Sequence, residues 1–237
     1  MPSPFLTAEW RWLVMLNYEI DPAVLQPFVP AGTELDAHDG RTYVSMVGFH
    51  FRHTRVRGVA IPFHEHFEEV NLRFYVRRNV GGESRRGVVF IKELVPRHAI
   101  AWTARWFYNE NYVALPMCHR NNKYGTERRL TYEWTHARET EHVDLRVEGE
   151  PFLPGDDSLE AFITEHYWGY VRQRDGGTLE YQVEHPQWRV WAAREAEFQC
   201  DVEALYGKTF APFLTVTPAS AFLAEGSKVA VYPGTRI

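Results

Sequence analysis

The chain is short of several residue types, and each shortage removes a class of function. Cys118 and Cys200 are the only cysteines in 237 residues, too few for a disulfide framework or a cysteine-rich zinc site. Lysine is scarce as well: Lys92, Lys123, Lys208 and Lys228 are the only four among 26 basic residues. With 31 acidic residues the net charge is −5, which argues against a dedicated nucleic-acid binder. The longest uncharged run, Thr209–Ala224, is too short to span a bilayer and is broken by Pro212 and Pro218. The opening Met-Pro-Ser-Pro soon meets Glu9 and Arg11 and lacks the layout of a signal peptide. No Asn-x-Ser/Thr acceptor occurs. A cytoplasmic protein with no membrane partner is the expectation. Nucleotide-binding glycine motifs, His-Glu-x-x-His and Gly-x-Ser-x-Gly are all absent, so nucleotide-dependent, zincin and serine-hydrolase readings lose their support and no cofactor is expected.

What is present is apolar and aromatic. Apolar residues make up 45% and aromatic residues 15% of the chain, which suggests a stiff interior or a ring-lined cavity. Three helices are predicted. Asp21 caps a short one opened by Pro22; Pro96 opens a second over Arg97–Tyr108; and an Asp157-x-x-Glu160 start leads a third through Leu159, Phe162, Ile163, Tyr167, Tyr170 and Val171. Most of the rest reads as strand. Asp39-Gly40 signals a hairpin turn, and Gly81-Gly82 turns His66–Asn79 back into Gly87–Val95. Leu130–Arg138 pairs with His142–Glu150, and Thr178–Glu184 with Arg189–Gln199. No linker or repeat interrupts the chain. The expected fold is α+β and β-rich, an antiparallel β-barrel or cone with a few packing helices, in one domain over residues 1–237.

The strand Phe67–Arg77 carries the strongest chemical pattern. Glu69, Asn71, Arg73 and Tyr75 alternate with Val70, Leu72, Phe74 and Val76, so the two sets lie on opposite faces. On a half-exposed sheet the polar face meets water; in a covered barrel it lines an internal pocket. A buried carboxylate and guanidinium are costly unless paired or bound to a ligand. His64-x-His66 followed by Glu69 invites a metal reading, although Glu69 points away from both histidines on a regular strand, and no metal is assigned. Arginines cluster at Arg52, Arg55 and Arg57 and again around the Gly81-Gly82 turn, where solvated charge is expected.

From this strand outward the sequence resembles a known family. The pieces are Trp12–Met15, Asp21-Pro22, Leu35-Asp36 through Gly40, Phe67–Val76, Gly87–Phe90, Ala104-Arg105 to Tyr112, Leu159–Tyr167, Val183–Arg189 and Pro218–Val231. Their order and spacing are similar to the bacterial YqjF-like proteins, a family of unknown function grouped by fold with acetoacetate decarboxylase. The resemblance implies a β-rich cone or barrel with helices outside. It also implies a pocket in which Glu69 takes the place of a decarboxylase glutamate and Arg105 that of an arginine. Tyr112 stands where those enzymes carry the lysine that forms a Schiff base with a keto acid. A phenol cannot form an imine.

The expected function is that of a small-molecule protein or enzyme, its ligand an organic acid, without Schiff-base chemistry. Glu69 and Tyr112 are the catalytic candidates, and Asn71, Arg73 and Arg105 the ligand-binding ones. Whether a reaction is catalysed, and whether the chain forms a homo-oligomer, stays open. Two other readings stand beside it: a metal-dependent cupin-like enzyme using His64 and His66, and a non-enzymatic domain whose barrel is filled by side chains. Lys92 is open too. On a regular strand it shares a face with Phe90 and Leu94, as a rim residue or a displaced nucleophile.

Overall fold

The computed structural model describes residues 3–96 and 111–237, so the helix expected over Arg97–Tyr108 lies outside the described residues. Long strands come first: β1 (Leu6–Ile20), β2 (Glu34–Leu35), β3 (Thr42–Val56), β4 (Val59–Ala60), β5 (Phe67–Val80) and β6 (Glu83–Val95). Asp21 caps the short helix α1 (Pro22–Leu25), accepting from the Ala23 amide, and His38 and Arg41 bond across the Asp39-Gly40 turn. After β7 (Tyr112–Ala114) come β8 (Met117–Tyr124), β9 (Glu127–His136) and β10 (Glu139–Glu148). The remainder is α2 (Leu159–Thr164), β11 (Trp168–Arg172), β12 (Thr178–Glu184), β13 (Val190–Gln199), α3 (Val202–Tyr206), α4 (Ala211–Leu214), β14 (Ser220–Val231) and β15 (Thr235–Arg236).

The strands form one sheet that curls on itself. In the order β12-β11-β6-β5-β3-β1-β14 the sheet meets its own start, because β14 pairs with β12 through Val183–Val231 and Glu184–Ala230. The ring is antiparallel except where β11 lies parallel to β6. Beyond β14 the sheet runs on through β13, β10, β9 and β8. This extension folds back over the outside of the ring. Val14, Leu16, Val44, Met46, Leu72 and Phe74 on the outer face of the ring pack with Leu130, Tyr132, Trp134, Val143 and Leu145 of the extension. The ring encloses a second core of Leu13, Met15, Val47, Phe49, Phe51 and Phe67. Strands β1, β3 and β5 are therefore buried on both faces; the middle stretches of β1 and β3, Leu13–Leu16 and Val44–Phe49, are nearly continuous in apolar residues, whereas β5 keeps its polar alternation on the inner face.

A second sheet layer covers part of the barrel, and helices α3 and α4 pack on it as well, adding Val202, Leu205, Phe210 and Leu214. The layers approach closely at Gly48. A Cβ built there would sit 2.8 Å from the Tyr132 ring, whose hydroxyl donates to the Trp12 carbonyl at 2.9 Å.

Two sequence expectations are corrected. The third helix is only Leu159–Thr164, capped by Ser158 rather than Asp157, and Trp168–Arg172 is a strand. Gly169 weakens helical continuation, and the segment gains ladder partners on both sides, β6 and β12. Strand β12 does not pair with β13. It closes the ring with β14, while β13 starts the outer layer between β14 and β10.

Candidate functional site

The ring encloses a cavity of ≈ 260 Å³, just below the usual size of small-molecule sites. Leu13, Phe49, Phe51, Phe67, Val88 and Phe90 make much of its wall apolar. Polar side chains come from the β5 face predicted as polar and from its neighbours: Glu69, Asn71 and Arg73 on β5, Glu93 on β6, Tyr112 on β7, and His166 just after α2. Glu69 is 3%, Asn71 1%, Arg73 9% and Glu93 1% exposed. This face lines the interior and does not meet bulk water, and side chains do not fill the barrel.

Glu69 organises one side. Its carboxyl accepts from Asn71 Nδ2 at 3.0 Å and from the Tyr112 hydroxyl at 3.4 Å. With its Nδ2 so engaged, Asn71 presents Oδ1, which is buried and accepts no hydrogen bond from the described residues. Arg73 Nη2 donates to the Ile163 carbonyl at a long 3.4 Å, and its guanidinium lies 5.7 Å from the Tyr75 ring. Its Nε is buried and donates to no described residue. No ion pair joins Arg73 to a carboxylate among the described residues.

Behind the cavity wall lies a charged triad. Arg86 Nε donates to Asp36 Oδ2 at 2.7 Å, and His166 Nε2 stands 3.4 Å from the same oxygen. Burial works against ionisation of Asp36, but its contacts with His166 and Arg86 override this and hold the carboxyl at about 2. Burial dominates at His166 and lowers it to about 4, against the pull of Asp36. The imidazole is therefore neutral at pH 7. Its ring packs against Tyr75 at 4.6 Å and Phe162 at 5.3 Å. Both ring nitrogens of His166 are buried with no hydrogen-bond partner among the described residues, Nε2 having only its charge contact with Asp36 and Nδ1 no such contact.

Four of the five predicted site residues, Glu69, Asn71, Arg73 and Tyr112, line the same cavity; Arg105 lies outside the described residues. Lys92 does not line it. A bulge on β6 pairs Leu72 with Lys92 but Arg73 with Phe90, leaving Ile91 as the extra residue. Past the bulge the faces exchange. Lys92 turns to the outer core, where Nζ donates to the Leu205 carbonyl and lies 5.7 Å from the Tyr206 ring. Glu93 takes the cavity face, which regular alternation denied it. Asn111 holds the bulge, donating Nδ2 to the Ile91 carbonyl at 3.0 Å.

The histidine pair separates. His64 lines the cavity and bonds the Pro62 carbonyl, whereas His66 packs near His53 and His50. Among the described residues no three histidine, cysteine or carboxylate side chains gather as metal ligands. His166 was missed because it sits in an irregular stretch after α2, where no periodicity marks a direction.

A ring of this connectivity around a small, partly polar cavity defines the class: a β-rich protein of acetoacetate decarboxylase-like fold. Acetoacetate decarboxylase from Legionella pneumophila superposes with a TM-score of 0.67 at 14% identity, over 100% of this chain and 88% of that one. The enduracididine biosynthesis enzyme MppR complexed with pyruvate gives 0.68 at 12%, over 100% and 91%. An acetoacetate decarboxylase-like enzyme from Sphingomonas wittichii RW1 gives 0.65 at 13%, over 99% and 94%. Within that fold, residues 7–228 match DUF2071, a family described as an uncharacterized conserved protein, and the chain belongs to it. The uncharacterized protein YqjF of Bacillus subtilis is 26% identical over 198 residues, 83% of this chain and 78% of that protein. No helix among the described residues is long and apolar enough to cross a membrane.

Proposed function

We propose that this protein binds a small organic acid inside the ring and, where it acts on the acid, does so without a Schiff base. One observation carries the reading: Arg73 is a buried cation in a largely apolar cavity, with a free Nε and no ion-paired carboxylate among the described residues. A buried unpaired charge costs several kcal/mol, and a bound carboxylate would offset that cost with a bidentate pair. In this reading Asn71 and Tyr112 orient the rest of the ligand, and Glu69 accepts or returns a proton. Arg105 as a second ligand-binding cation rests on the family resemblance alone. The pyruvate bound to MppR is a ligand of that protein and suggests only the class of acid to try first. A cytoplasmic setting belongs to the same reading, in keeping with the two free cysteines.

Thermal-shift titration with pyruvate, acetoacetate, butyrate and benzoate tests it. At least one acid should raise the melting temperature in a saturable way, as any ligand that binds only the folded state must. Arg73→Met should fold and lose the shift. Absence of a shift for every acid, or an undiminished shift in Arg73→Met, would remove the support.

A further inference from the structure

We infer that the acid recognised here carries a hydrogen-bond donor beside its carboxylate, as a 2-hydroxy or 2-amino acid does and a 2-oxo acid does not, with His166 and Asn71 reading that donor. The inference rests on the organic-acid reading above and sharpens it. It follows from the donors and acceptors that the cavity leaves unmatched. Arg73 supplies donors only, which suits the carboxylate. The open Trp10 Nε1, a donor, and Thr54 Oγ1 belong to the other end of the cavity, by Phe51 and Glu65 rather than by Val47 and Ser45, the β3 partners of Asn71 and Arg73. Beside Arg73, the open atoms of Asn71 and His166 are both acceptors.

Asn71 Oδ1 is one. The amide cannot be reversed without setting its oxygen against the Glu69 carboxyl, now 3.0 Å from Nδ2, so the open atom is the oxygen. His166 Nδ1 is the other. A neutral imidazole has one ring proton, and the Asp36 carboxylate, itself anchored by Arg86, draws it to Nε2. That leaves a lone pair on Nδ1. Tyr75 and Phe162 fix the ring, and the side chain is 1% exposed, so the lone pair cannot turn to water. Arg73 is close enough for its charge to oppose protonation of this ring, which keeps the acceptor available. A 2-oxo acid brings acceptors to acceptors and leaves both atoms unsatisfied. A hydroxyl or ammonium at the same carbon satisfies at least one of them, and sites with buried polar atoms discriminate strongly against ligands that leave those atoms unpaired. Asp36 and Arg86 act as positioning residues, since they set the tautomer from outside the cavity.

The test compares acids of one carbon skeleton by calorimetric titration: lactate, alanine and pyruvate, then mandelate, phenylglycine and phenylglyoxylate, each chiral acid as both enantiomers. In at least one series a donor-bearing acid should bind about tenfold or more tightly than its 2-oxo counterpart, and lactate against alanine separates hydroxyl from ammonium. His166→Phe should erase that preference while keeping carboxylate binding, and His166→Asn, which can return an acceptor near Nδ1, should restore part of it. Equal or tighter binding of the 2-oxo acids overturns this inference and leaves organic-acid binding standing. If none of the six acids binds while acetoacetate, butyrate or benzoate does, this inference falls alone; if no acid of either set binds, both fall. A ¹⁵N-histidine spectrum of the unsubstituted protein gives an answer even where His166→Phe does not fold: His166 should hold its proton on Nε2 at pH 7, and a proton on Nδ1 would overturn the assignment.

Discussion

Lys123, Lys208 and Lys228 are exposed, and Lys92 points from β6 into the outer core, so none of the four lysines lines the cavity. Burial lowers the pKa of Lys92, with Cys200 opposing, a condition that activates lysine nucleophiles elsewhere; geometry overrides it here, because the sheet lies between Nζ and the cavity. Borohydride reduction in the presence of pyruvate or acetoacetate should therefore leave the intact mass unchanged, and an adduct mapped to Lys92 would mean that the β6 bulge can unwind. His166 supports a second expectation. Its pKa is lowered from 6.5 to about 4, so above pH 6.5 it is neutral folded or unfolded. As pH falls toward 4 only the unfolded chain gains the proton, and stability is lost by about 3 kcal/mol across that window. His50, lowered to about 4 by burial and then by His119, adds to the same slope. Asp36 contributes separately, its share disappearing from its usual range down to about 2. Urea unfolding at pH 7 and pH 4.5 should show the loss, and His166→Phe should make the slope shallower. An equal slope in that variant would show that His166 is protonated in the fold. At this scale the alternation of β5 made Glu69, Asn71 and Arg73 legible, and resemblance supplied Tyr112. His166 was hidden because only the packing of Tyr75, Phe162 and Asp36 around a loop gives it a direction.

Strand β11 and the β6 bulge show what a one-dimensional pattern leaves out. Leu159 to Val171 keeps helical spacing, yet the chain leaves the helix at Thr164 because Trp168 and Gly169 can pair with Gly87 and Val88. That pairing depends on Gly87. A Cβ there would lie 2.6 Å from the Trp168 carbonyl oxygen and 2.6 Å from the Tyr170 ring. Gly87→Ala should destabilise the protein by about 1–3 kcal/mol, the usual cost of overpacking, read as a lower urea midpoint. Gly155→Ala, with nothing within 4 Å, should stay within about 0.5 kcal/mol. An equally mild Gly87→Ala would mean that β11 does not need this close approach. The bulge carried no comparable signal. One extra residue in Gly87–Val95 exchanges the faces of everything after it, which is why Lys92 was placed beside Phe90 and Glu93 was not considered. The Asn111 bond that holds the bulge comes from 20 residues further along, beyond the reach of local periodicity.

At the scale of the whole molecule the strands and most hairpins were legible, while the closure was not. Ring closure depends on β12 meeting β14, and the outer layer on β13 leaving β14. Such pairings join distant segments whose individual patterns are alike, so sequence could not separate them from the expected β12–β13 hairpin. The same connectivity has an energetic consequence. Met15 and Leu16 are neighbours on β1, one in the inner core and one in the outer. Val47 and Met46 divide in the same way on β3, as do Tyr75 and Phe74 on β5. Neither core can come apart without removing one face of strands the other core needs. We therefore propose that residues 1–237 unfold as one cooperative domain. Met15→Ala in the inner core and Leu72→Ala in the outer should each cost about 2–5 kcal/mol, as truncations at fully buried sites do. Each should move the tryptophan-fluorescence and far-ultraviolet dichroism transitions together, the mark of two-state unfolding. Separate transitions, with Met15→Ala shifting one and Leu72→Ala the other, would instead divide the chain into a ring and a detachable outer layer. In that case the cavity should survive loss of the outer core, and thermal shifts in Leu72→Ala with any acid that shifts the unsubstituted protein would reveal it.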